Sequence, residues 1–159
     1  MTQCKRVRLR GSFLIALPPQ DAFVLFTPAG ERAWVDGWDP QFPGEVTDDS
    51  APGTVFQTDH SGRCTTWIVA RCSPGRAIEY AQVAMGDRAG LVSVVCDFAS
   101  DGMTTVSVSY DLTALEPEAN ADLDAFAANY PAFLDHWSRS IHHTIDGRGR
   151  QKPSGVRSS

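Results

Sequence analysis

Between residues 44 and 112 the sequence alternates apolar and polar residues, and the runs are cut apart by "SAPG", "HSGR", "SPGR", "MGDR" and "SDGM". Period-two alternation puts apolar side chains on one face of a strand. Glycine, proline and small polar residues between closely spaced runs turn the chain back on itself. The pattern predicts strands over 45–48, 54–60, 64–72, 76–85, 90–99 and 104–112, joined as an antiparallel meander. "TTVSVSYDL" is the cleanest run. Val106, Val108, Tyr110 and Leu112 share one face, and Thr105, Ser107, Ser109 and Asp111 share the other. Such a sheet has one dry face and one wet face.

A dry sheet face needs an apolar partner, and the C-terminal third of the chain offers one. Glu116-Pro117-Glu118 opens a helix, with proline and acids where the helix dipole favours them. Leu123, Phe126, Tyr130, Phe133, Leu134, Trp137, Ile141 and Ile145 then recur at helical spacings, a wide apolar stripe. This predicts a longest helix over 116–146, kinked or broken at Pro131 and stopped by Gly147. Upstream, Val7, Leu9, Phe13, Ile15 and Leu17 alternate against Arg8, Arg10 and Ser12, which makes a first half-buried strand. "PPQDAFVLF" starts a short helix, with Ala22, Phe23 and Phe26 at helical spacing. "ERAWVDGWDPQFPG" reads as a second short helix. Trp34 and Trp38 lie one turn apart on it, and Asp39-Pro40 and Pro43-Gly44 forbid its continuation.

A chain of 159 residues fits one domain with a proper core, assigned here to residues 1–146. Residues 147–159, "GRGRQKPSGVRSS", hold a single valine and read as a flexible basic tail. Its four positive charges leave −9 on the remainder, out of −5 for the chain, and this balance argues against nucleic acid as the main partner. With no leader-like segment and no apolar run long enough to span a bilayer, the expected location is the cytoplasm. Cys4, Cys64, Cys72 and Cys96 show no CxxC spacing and are expected as reduced, buried thiols.

The order of elements predicts an α+β architecture: a curved antiparallel sheet of about seven strands wrapped around a long C-terminal helix, with two short helices after the first strand. In this order the chain resembles the START-like, or SRPBCC, superfamily of helix-grip proteins, which includes polyketide cyclase/dehydrase and lipid-transport families. The segments that carry the resemblance are "SFLIALPPQDAFVLFTP", "ERAWVDGWDP", "GTVFQTD", "TTWIVARCSPGRAIEY", "TVSVSYDLTALEPEAN" and "FLDHWSRSIHHTI". They cover nearly all of residues 7–146. The resemblance implies a pocket for apolar or aromatic molecules between sheet and long helix. In such a fold the second short helix and its loop border the mouth, with Trp34 beneath the loop and Trp38 and Phe42 able to meet a ligand.

The inward-facing positions then become candidates for ligand contact: Trp38, Phe42, Phe56, Trp67, Tyr80, Tyr110, Tyr130, Phe133 and Trp137. A buried phenol must find a hydrogen-bond partner, so the three tyrosines carry the polar side of such a site. Tyr80 and His136 are the candidates for acid–base work. His136 neighbours Trp137 and points either to the pocket or to water. Asp59-His60 precedes a turn with its side chains on opposite faces and reads as surface. His136 and His143 share a helix face without a third ligand, which predicts no metal site. No nucleophile elbow and no phosphate-cradling glycine loop is present. The readings, in order, are a carrier or sensor for a hydrophobic small molecule, a cyclase- or dehydratase-like enzyme, and a protein-interaction module. A cofactor is not expected, and the chain is expected as a monomer or homodimer.

Overall fold

The computed structural model describes residues 3–60 and 62–157, with side chains described as far as Gly147. All but one of the alternating runs become strands. β1 (Arg6–Ile15), β2 (Val55–His60), β3 (Arg63–Ser73), β4 (Ala77–Ala84), β5 (Arg88–Ser100) and β6 (Met103–Ala114) form one six-stranded sheet in the order β1-β6-β5-β4-β3-β2. Every neighbouring pair is antiparallel. The hairpin turns hold Gly62, Gly75, Gly86 and Gly102 at φ between +72° and +79°, a region that costs glycine little and other residues much. This is why the turn signals in the sequence mark the strand ends so well.

The expected strand at 45–48 is irregular chain. The Asp48 carboxylate accepts hydrogen bonds from the Ser50 backbone N–H (3.0 Å) and hydroxyl (2.7 Å), so a local side-chain turn replaces ladder pairing. The β2 edge is met instead by Gln41, which exchanges two 2.8 Å backbone hydrogen bonds with Gln57. The sheet therefore has six strands rather than about seven.

β1 and β2 are the two sheet edges, so residues 16–54 carry the chain from one edge to the other. On this path lie α1 (Pro19–Val24), packed against β5 and β6, and a 3-10 turn, Gly30–Ala33. The expected second helix is only this turn. A Cβ on Gly30 would collide with the Val24 carbonyl, so glycine lets the turn press against the end of α1. Helical geometry ends at Trp34 (φ −138°, ψ −11°), Gly37 at φ +73° turns the chain between the two indoles, and Trp34 and Trp38 do not stack one turn apart.

The long C-terminal helix is also divided. A 3-10 turn, Pro117–Ala119, leads into α2 (Asn120–Ala128), and α3 runs Tyr130–Arg157. The break falls at Asn129 (φ −96°, ψ 6°), two residues before Pro131, whose missing N–H cannot continue the ladder of α2. Gly147 does not stop α3, because a glycine inside a helix costs only about 1 kcal/mol. The basic side chains of the expected tail, beyond Gly147, lie outside the described residues.

α3 crosses β1 at Gly11, where a Cβ would run into Leu134. The core beneath it is apolar and closed, with Ile15, Phe26, Val106, Val108, Leu112, Leu123 and Ile141 almost fully buried. Irregularities between Val69 and Arg71 in β3 and between Phe98 and Ser100 in β5 sharpen the curvature of the sheet. α2 and α3 cover β1 and its neighbour β6, and α1 packs on β5 and β6. Of the thiols, Cys96 is buried and Cys72 half-buried, whereas Cys4 and Cys64 are exposed at a terminus and a strand end, against the expectation of burial.

Candidate functional site

The aromatic residues divide into two walls. On the helix side, Trp137 packs on Phe26, Trp34, Tyr110 and Phe133, with ring centroids 5.1–6.4 Å apart. On the sheet-edge side, Phe56 packs on Trp38, Phe42, Trp67 and Tyr80 at 5.7–6.0 Å. The two tryptophans of the 31–44 segment go to opposite walls. Trp34 donates its indole N–H to the Leu25 carbonyl (2.7 Å) on the helix side, and Trp38 donates to the Pro28 carbonyl (2.7 Å) on the other. Between the walls lies a cavity of about 280 Å3.

Trp38, Phe56, Trp67, Tyr80, Tyr110, Phe133 and Trp137 line this cavity, joined by Val35, Val92, Leu112 and Phe126. Two of the residues expected there do not line it. Phe42 lies behind Phe56, at 5.7 Å, and Tyr130 turns its hydroxyl to the Val108 carbonyl (2.8 Å) under α3. His136 is exposed on the outer face of α3, with Asp59 and His60 exposed at the end of β2; only His60 of these reaches the cavity rim. Among the described residues no group of three His, Cys, Asp or Glu could hold a metal ion.

The tyrosines have distinct roles. Tyr80 donates to the Phe26 carbonyl (2.6 Å), tying β4 to the end of α1. Burial pushes its phenol far above the usual range, with the Glu31 carboxylate adding to the effect, so its proton stays in place. Tyr80→Phe is therefore expected to destabilise the fold by about 1–3 kcal/mol, the cost of a buried carbonyl left unpaired. Chemical denaturation checks this, and an unchanged midpoint would remove the tie. Tyr110 is different. It is buried, its phenol is likewise raised by burial, and no described residue hydrogen-bonds its hydroxyl.

Three charged side chains, Glu31, Arg63 and Arg88, join the lining with Thr58, His60, Thr65 and Gln82, and none of the three was a candidate in the sequence. Glu31, 9% exposed, projects from the 3-10 turn, and burial raises its carboxyl well above the ordinary range. Arg88, 8% exposed, opens β5. Its Nε lies 3.4 Å from Asp87 Oδ2 without hydrogen-bond geometry, and Asp87 Oδ2 also lies 2.8 Å from Arg63 Nε. The Arg88 guanidinium sits 5.8 Å from the Phe126 ring centroid. No ion pair joins Glu31 to Arg88. A signal for Arg88 is present, since Arg88, Val92, Val94 and Cys96 share the inward phase, but the strand predicted from the sequence starts at residue 90, beyond it. Glu31 had no such signal, because its direction depends on the 3-10 geometry that replaced the expected helix.

No protein-family model matches the chain, and no curated protein matches it in sequence. Solved structures do match in fold. A protein from Rhizobium leguminosarum aligns with a TM-score of 0.65 at 16% identity, covering 90% of this chain and 99% of that one. Norcoclaurine synthase from Thalictrum flavum aligns with a TM-score of 0.62 at 10% identity, covering 91% and 96%. CalU16 from Micromonospora echinospora aligns with a TM-score of 0.59 at 15% identity, covering 99% of both chains. Norcoclaurine synthase has also been solved in complex with dopamine and hydroxybenzaldehyde. The chain thus has the α+β helix-grip fold, and among its described residues no helix is long and apolar enough to cross a membrane.

Proposed function

We propose that this protein binds a hydrophobic, aromatic small molecule between its two aromatic walls. The observation that carries the reading is the cavity of about 280 Å3 walled by indole, phenyl and phenol rings, with aliphatic and aromatic residues outnumbering the polar ones in its lining. This volume lies just below the roughly 300–1,000 Å3 range of ligand sites, which suits one or two rings rather than a long lipid. The dopamine and hydroxybenzaldehyde found in complex with norcoclaurine synthase are likewise molecules built on a single aromatic ring. Trp38, Trp67 and Trp137 supply a readout. Titration with indole and with naphthalene-sized arenes is expected to change their fluorescence saturably at one ligand per chain. Absence of saturation with every arene would sink the reading.

A second reading, a cyclase- or dehydratase-like enzyme, is favoured by one pair of groups. The buried Glu31 carboxyl and the unpartnered Tyr110 hydroxyl share the cavity and could exchange protons with a ligand. Product analysis by mass spectrometry beside the titration separates the two. Recovery of the ligand unchanged supports the carrier, and conversion lost in Glu31→Gln supports the enzyme.

A further inference from the structure

We infer that the ligand carries a single carboxylate and seats it on the Arg88 guanidinium at the end of the cavity nearest the β4–β5 hairpin. The inference rests on the aromatic-ligand reading and deepens it. In the cross-strand row Thr65–Ala84–Arg88–Ala114, alanine stands on either side of Arg88. These short neighbours leave the arginine room to lie along the sheet and turn its head into the cavity that it lines.

A guanidinium has five N–H donors and no acceptor, and burying it without acceptors is costly. Among the described residues none of its donors makes a hydrogen bond, and its Nε is shielded from solvent with no partner. The nearby Asp87 carboxylate does not meet the need: its Oδ2 lies 2.8 Å from Arg63 Nε and 3.4 Å from Arg88 Nε, in hydrogen-bond geometry with neither. The buried Glu31 carboxyl pairs with neither arginine and is pushed toward its neutral form by burial, so two guanidiniums share one carboxylate and one positive charge is left over beside the Phe126 ring.

A monoanion cancels that surplus. Carboxylate oxygens match the planar fork of an arginine, which accepts them in two parallel hydrogen bonds. A dianionic phosphate would overshoot, placing a net negative charge beside Asp87. A neutral or cationic head would leave the guanidinium unpaired. The ligand class is therefore an aromatic acid: an arene between the walls and a carboxylate on Arg88.

The test compares four probes by tryptophan fluorescence and calorimetry: phenylacetate, its near-isostere phenylacetamide, phenyl phosphate and indole. Phenylacetate is expected to bind at least about tenfold more tightly than the amide, as a charge-assisted pair requires, and phenyl phosphate no more tightly than phenylacetate. In Arg88→Gln the preference for acid over amide, read as the ratio of the two affinities in the same variant, is expected to collapse to within about twofold. Equal binding of acid and amide, a preference that survives Arg88→Gln, or phosphate binding most tightly would each overturn the inference. The comparison of acid with amide in the unmodified protein decides the matter even where the variant fails to fold. If indole and the amide bind but the acid gains nothing, the carboxylate falls and the aromatic reading stands. If no arene binds, both fall.

Discussion

Trp137→Ala is expected to lower stability by about 3 kcal/mol, toward the lower end of the range for truncating a large aromatic side chain. Trp137 is the hub of the helix-side wall, with ring contacts to Phe26, Trp34, Tyr110 and Phe133. Those neighbours come from the segment that follows α1, from β6 and from α3 itself, so the indole joins three parts of the chain. It also faces the cavity on one side and is only half-buried, which is why the lower end of the range applies. For a chain of this size the loss corresponds to roughly 6–12 °C in Tm. Urea unfolding checks the value. An unchanged midpoint with an unchanged slope would mean that the wall does not hold α3 against the sheet.

The fold was legible because its signals are local and mutually consistent. Alternation in "TTVSVSYDL" and glycine at each hairpin give the meander, and the stripe from Leu123 to Ile145 gives the covering helix. Errors came where a tertiary contact or a side chain competing for backbone groups overrode local pattern. Asp48 captures the Ser50 N–H and dissolves a strand, while Gly30 presses against Val24 and tightens a helix into one 3-10 turn. The aromatic part of the cavity was legible for the same reason as the core, since a residue facing the dry side of the sheet is either packed or lines a gap. Phe42 and Tyr130 fall on the packed side of that distinction, which periodicity does not resolve. The charged part was not legible. Arginine and glutamate are exposed in most proteins, and only the position of alanine beside Arg88, or of a 3-10 turn beneath Glu31, turns such a residue inward.

Glu31→Gln is expected to act in the opposite direction to Trp137→Ala, stabilising the protein at neutral and alkaline pH. Burial raises the Glu31 carboxyl well above 4.5, the ordinary value that it regains on unfolding. Below that value both states hold the proton, and the carboxyl contributes its full share of stability. As pH rises toward the folded-state value, the unfolded chain ionises freely while the folded one cannot, and that share is lost. Each unit of separation between the two values is a tenfold change in the folding equilibrium. Glutamine keeps the shape and never ionises, so the variant escapes this loss. The stability difference between variant and wild type should be near zero below about pH 4.5 and widen steadily above it. Taking that difference at each pH removes the contribution of every other titrating group, which both proteins share. Urea unfolding from pH 4 to pH 8 tests the expectation. A difference that does not depend on pH would mean that the carboxyl has a hidden partner holding it ionised. That outcome would also remove Glu31 as a proton donor in the cavity, and with it the main support for the enzymatic reading.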